Sequence, residues 1–143
     1  AYTPWTRRFI SASLTAIGPK VKGHADFIRE ASAAKNEPST LYFVSVAEAL
    51  EKRHAKTPLT AILASRCLPA GLTSSGTLYL PLSVDYLFWT TEVDSIITDF
   101  NTQVRAATRA KNFEIDIRGK ASPLSRKALT GIGGAVREER WLE

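Results

Sequence analysis

The feature that most constrains this chain is a helix followed at once by a strand. Val93, Ile96, Ile97, Phe100, Val104 and Ala107 recur at helical spacing and form one apolar face of a helix reaching about Ala110. Thr91 and Asp94 give its start a capping-box-like spacing, with Asp in place of the usual Glu. Its acidic start and basic end complement the helix dipole. Immediately afterwards, Phe113 to Arg118 (FEIDIR) alternates. Phe113, Ile115 and Ile117 share one face of a strand, and Glu114, Asp116 and Arg118 share the other, which the pattern assigns to solvent. A chain that changes period within a few residues lays helix against sheet.

The flanking segments extend the same logic. Leu41 to Val46 (LYFVSV) is dense in β-branched and aromatic residues and reads as a buried strand. Ala47 to Lys56 reads as a short charged helix broken by Thr57-Pro58, and Leu59 to Ser65 (LTAILAS) as a second buried strand. Residues 66–76 (RCLPAGLTSSG) have loop composition. Thr77 to Leu82 reads as a strand that Pro81 assigns to a sheet edge. Val84 to Trp89 is apolar and aromatic without a diagnostic period.

Upstream, Thr3-Pro4 suits a helix start. Residues 3–17 carry both a strand-like alternation (Ile10, Ala12, Leu14, Ala16) and a helical grouping (Trp5, Phe9, Ile10); we read a helix, ended by Gly18-Pro19. Residues 23–35 form another helix, with Phe27, Ile28, Ala31 and Ala34 at helical spacing. Downstream, Gly119 turns the chain, and Ser122 caps a helix with Pro123 at its first position. Gly131, Gly133 and Gly134 end that helix, and Ala135 to Glu138 return as a short strand.

The expectation is a single α/β domain over residues 1–141 with four to five strands. Helices pack on a partly parallel sheet in three layers, and an α+β ferredoxin-like order is the alternative. The final Leu142-Glu143 reads as a cloning remnant and is set aside.

Composition removes several classes. With 44% hydrophobic residues and only 8 Gly and 7 Pro in 143, collagen-like and disordered chains are excluded. The single cysteine, Cys67, cannot build a disulfide framework or a multi-thiolate zinc site within this chain. No apolar stretch approaches the roughly 18 to 20 residues of a membrane helix, so no transmembrane segment is expected. The formal charge of +5 attracts polyanions, but its cations are dispersed among acidic residues, as on a solvated surface.

Three groups of residues are candidates for function. Gly119, Lys120, Ser122 and Arg126 surround a helix N-terminus, where free N–H groups and positive potential suit an anion; the phosphate-loop pattern is absent, and the same residues describe a capped helix with a basic face. Tyr86, Phe88 and Trp89, with Tyr79 nearby, are the densest aromatic stretch. If exposed they suit an interface, and if buried they are core. Cys67 follows a strand, but a phosphatase-type loop requires Arg where Thr73 stands, and a lone Cys there also serves as a small hydrophobe. His24 and His54 belong to no metal-ligand spacing, and Gly131 to Gly134 fails the dinucleotide pattern because Val136 replaces the third glycine.

These observations lead to a non-catalytic binding or interaction domain with an unidentified protein partner, requiring neither metal nor cofactor. A nucleic-acid or polyanion-binding domain is one alternative. A small thiol-dependent enzyme using Cys67 is another.

Overall fold

The computed structural model describes residues 2–65 and 68–141. Three helices come first: α1 (Pro4–Ile17), α2 (His24–Ser32) and α3 (Glu37–Lys56). Strands β1 (Leu59–Ser65), β2 (Leu68–Thr73), β3 (Thr77–Leu82) and the two-residue β4 (Tyr86–Leu87) follow. Helix α4 (Thr91–Asp99) runs through a π-helical segment (Phe100–Arg105) into α5 (Ala106–Thr108). The chain then forms β5 (Asn112–Ile117), the short β6 (Lys120–Ala121), α6 (Pro123–Gly131) and β7 (Ala135–Glu138).

The main sheet has the order β1-β2-β3-β5-β7. Its first three strands are an antiparallel meander, whereas β3, β5 and β7 are mutually parallel. The parallel half follows from the sequence: each strand in it is joined to the next by a helix, the connection parallel strands need. A single α/β domain with helices on a mixed five-stranded sheet is the result.

Two apolar clusters place the layers. Leu78, Leu80 and Leu82 of β3, with Phe113, Ile115 and Ile117 of β5, pack against Ile97, Phe100 and Leu129. Tyr79, alternating with those leucines, points the other way, into a cluster built by Ile10, Leu14, Phe27, Phe43, Val46 and Leu50. Thus α4 and α6 cover one sheet face and α1 to α3 the other. Helices on both faces exclude the ferredoxin-like alternative.

Four sequence expectations change. Leu41 to Val46 is helix, not strand. Asn36 accepts a hydrogen bond from the Ser39 N–H at 2.9 Å and Pro38 occupies the first turn, so one 20-residue helix starts there. Its buried residues Phe43, Val46, Ala47 and Leu50 fall at helical spacing, and burying that stripe outweighs the strand propensity of the run.

Within residues 66–76, Leu68–Thr73 is a buried strand closed onto β3 by a turn in which Gly76 has φ +87°. Pro81 lies in the central strand and not at an edge. The β2 ladder pairs Leu78 and Tyr79 and stops short of Pro81, so its missing N–H leaves the β2–β3 pairing intact. The fourth change concerns β5.

The polar face of β5 meets helix α3, not water. Asp116 is only 3% exposed. It takes two charge-assisted hydrogen bonds from Arg137, at 2.7 and 2.9 Å, and one from the Tyr79 hydroxyl at 3.2 Å. Glu114 is gripped bidentately by Arg53 of α3, at 2.6 and 3.3 Å, and the Arg53 guanidinium lies 4.9 Å from the Tyr79 ring centroid. Removing one member of such a network strands the others. Asp116→Ala is expected to lower unfolding free energy by about 3 kcal/mol, at the low end for a broken buried pair because Arg137 retains access to water. Urea titration of variant and parent checks this; a loss under about 1 kcal/mol would show that the network does not hold α3 to the sheet.

Candidate functional site

The turn after β5 is tightly packed. A Cβ on Gly119 would sit 1.8 Å from the Asp85 carbonyl oxygen, so the absent side chain lets two backbones touch there. This contact aligns β4 with β6, pairing Tyr86 with Lys120 and Leu87 with Ala121. Ser122 caps α6, accepting from the Ser125 N–H at 3.1 Å. The fully buried Ser125 hydroxyl donates to the Leu87 carbonyl at 2.8 Å, tying the aromatic segment to the first turn of α6.

The cations of this turn have partners within the chain. Arg126 donates to Glu138 at 2.8 Å, and Lys120 approaches Glu139 at 3.8 Å. The other Glu138 oxygen accepts from the Ala121 N–H at 2.7 Å. Gly119, Lys120, Ser122 and Arg126 lie around the turn from β6 into α6, where the Glu138 carboxylate of β7 bonds to Arg126 and to the Ala121 N–H.

Hydrogen bonding by Arg126 and the Ala121 N–H, aided by the charges of Arg126 and Lys120 against a small opposing burial effect, holds the Glu138 carboxyl below its ordinary value of 4.5. A lowered folded-state value means this stabilisation is complete above about pH 4.5 and fades as pH falls through the lower value. In Glu138→Gln, the part of acid destabilisation just below pH 4.5 should shrink by about 0.5 kcal/mol, a size suited to a partly exposed pair. Thermal denaturation between pH 3 and 7 reads the difference, about 2 °C in the midpoint.

The aromatic stretch divides. Tyr86 and Phe88 are 43% and 64% exposed, with ring centroids 4.6 Å apart. Trp89 is half-buried against the cluster under α4. Leu87, between the two exposed rings, is buried and forms part of the wall of an open cleft of about 550 Å³. The cleft lies at the carboxyl ends of β3 and β5, bounded by Leu41 and Phe43 of α3, Val84 beyond β3, and Val93 and Ile96 of α4. Asp85, Arg118 and Ser83 bring polar groups to it. Open α/β sheets bind ligands near this end of their strands, in mostly apolar pockets of this size range with a few polar groups.

The sequence marks out the aromatic stretch but leaves its exposure open, and it gives no sign of the cleft. Leu41 reads as part of a strand, and Val84 to Trp89 has no diagnostic period. The alternation of exposed Tyr86, buried Leu87 and exposed Phe88 was the available signal.

The remaining candidates lie elsewhere. His54 accepts the Leu59 N–H at 2.9 Å, closing the junction between α3 and β1. His24 sits in the first turn of α2. Among the described residues no three His, Cys, Asp or Glu side chains gather as a metal site, and no helix is long and apolar enough to cross a membrane. Cys67 and its neighbour Arg66 lie outside the described residues, as does Leu142-Glu143. Burial, the nearby charge of Asp116 and its hydrogen bond push the Tyr79 hydroxyl far above the usual phenol range, against smaller opposing effects of Arg53 and Arg137. Tyr79 is therefore a neutral donor to Asp116.

No protein-family model matches the sequence, and no curated protein or solved structure is significantly similar to it.

Proposed function

We propose that this chain is a non-catalytic recognition domain that binds a protein partner at the apolar cleft between α3 and α4, with Tyr86 and Phe88 as aromatic anchors beside it. The observation that carries this reading is the placement of two exposed, touching rings on either side of a residue that walls the cleft. Contiguous exposed apolar surface of this kind marks interaction sites, and aromatic anchors next to a pocket concentrate binding energy. The segment is also held in place: the Gly119 contact, the β4–β6 pairing and the Ser125 hydrogen bond fix Leu87 from three directions. Such an anchor loses less entropy on binding than one on a free loop.

The test is photo-crosslinking from position 88, with p-benzoylphenylalanine in place of Phe88, in cells that make the protein. A discrete adduct is expected, weakened by Tyr86→Ser and absent when the same probe replaces Arg29 on the exposed side of α2. No adduct from position 88, or the same pattern from both positions, would overturn the reading.

A second reading, polyanion binding, is favoured by one observation. Lys52 and Lys56 of α3 meet Arg137 and Arg140 around the small hollow over Asp116 and Tyr79. Titration with short DNA, RNA and heparin across a salt series addresses it. If this face binds phosphates, Lys52→Gln with Arg140→Gln should reduce the salt slope by about 2, because two phosphate contacts are lost. Absence of binding at low salt would leave the positive charge as a property of the surface alone.

A further inference from the structure

A second groove lies between α1 and α3. Trp5 and Phe9, one helical turn apart on α1, stack with ring centroids 5.7 Å apart, and Trp5 is 68% exposed. They face Leu41 and Val44 of α3 across an open space of about 430 Å³. Glu37 and Glu48 also line it, so the α3 side reads Glu37, Leu41, Val44, Glu48. Steps of four, three and four residues place all four on one helix face, with a carboxylate at each end of an apolar stripe. No cation lines the groove, and neither glutamate has an ion-pair partner among the described residues.

We propose that this groove docks a basic amphipathic helix of a partner protein. The apolar lining calls for apolar side chains at helical spacing, since two packed helices leave a furrow that a third can fill. The two unpaired carboxylates call for Lys or Arg at both ends of that apolar face. Eleven residues of α3 separate the glutamates, about 16 Å at 1.5 Å per residue, so the recognised stretch is about three helical turns. The chain's net positive charge does not oppose this, because at physiological salt a Debye length of about 8 Å confines the interaction to neighbouring groups. The inference does not rest on the proposed function of the α3–α4 cleft; the two surfaces share Leu41 and are otherwise lined by different residues.

The experiment is fluorescence anisotropy with a labelled, end-capped helical peptide of about four turns, with Leu at helical spacing on one face and Lys flanking it. A twin carrying Glu for Lys is the control. At about 0.15 M salt the Lys peptide is expected to bind roughly ten times more tightly. The double variant Glu37→Gln, Glu48→Gln should erase that preference, and Trp5→Ser with Phe9→Ser should abolish binding of both peptides. Both α1 side chains are exposed, so this last variant is expected to keep the parent's circular dichroism and urea midpoint. Equal affinity for the two peptides, or no binding of the Lys peptide, would overturn the proposal. So would a concentration-dependent dimer of the chain that Trp5→Ser, Phe9→Ser dissolves, because the occupant would then be a second copy. Tyr86→Ser with Phe88→Ser should leave peptide affinity unchanged. A loss there would put the peptide on the cleft, overturning the groove assignment while leaving the recognition reading intact.

Discussion

The carboxylates of β5 organise the molecule. Glu114 and Asp116 stand on the strand face opposite Phe113, Ile115 and Ile117, and each is satisfied from a different direction. Arg53 reaches down from α3 to Glu114, while Arg137 reaches across from β7 to Asp116. One strand thereby ties a helix layer to the sheet and an edge strand to the centre. Buried charges are costly unless paired and hydrogen-bonded, so α3 is constrained to the register in which Arg53 meets Glu114. The Tyr79 ring, under the Arg53 guanidinium and bonded through its hydroxyl to Asp116, joins the two pairs into one network.

That docking of α3 shapes both the α3–α4 cleft and the α1–α3 groove. Phe43, Val46, Ala47 and Leu50 are committed to the core, so Leu41 emerges exposed and Val44 sits half-buried at the core's margin. Leu41 then borders both the α3–α4 cleft and the α1–α3 groove. Burying every apolar residue of a long helix would require a partner on each side; α3 packs on α1, on the sheet and, through Phe43 against Phe27, on α2, and Leu41 is still left exposed. The leftover apolar surface is a property of the fold's geometry, and the proposed docking sites both draw on it.

The far end of β5 is held by different means. Close backbone contact at Gly119, two short parallel strands and a buried serine hydroxyl set the path of residues 84–89. The π-helical segment beyond α4 serves the same layer. Winding by five residues brings Phe100 and Arg105 onto similar directions, so Phe100 stacks near Phe113, with centroids 5.9 Å apart, while Arg105 lies 4.9 Å from the same ring centroid. Arg105 also donates to the Ile132 carbonyl, closing the turn before β7.

By itself the sequence determined the elements whose signals are local and whose neighbours agree with them. The strands at 59–65 and 77–82, the strand read at 113–118 and observed at 112–117, the Ser122-Pro123 helix start and the glycine-rich stop before β7 follow from period and capping chemistry. The helix over the 90s follows from its period, while its cap is Thr90, which accepts from the Val93 N–H, and not the Thr91 and Asp94 pair. It also determined that aromatic residues concentrate at Tyr86, Phe88 and Trp89, of which Tyr86 and Phe88 touch and Trp89 turns to the cluster under α4, and that helices would pack on a partly parallel sheet. Only the tertiary structure decided what burial overrode. Residues 41–46 have strand propensity but lie on a helix, because an Asn36 cap and a stripe shared with residues 47–50 make one long buried face. The face of Glu114 and Asp116 reads as solvent in a single strand, since alternation reports polarity and not what lies opposite. Arg53 lies 61 residues from Glu114, and no local pattern connects them. The cleft and the groove are likewise made of residues distant in sequence, whose convergence depends on how α3 is docked.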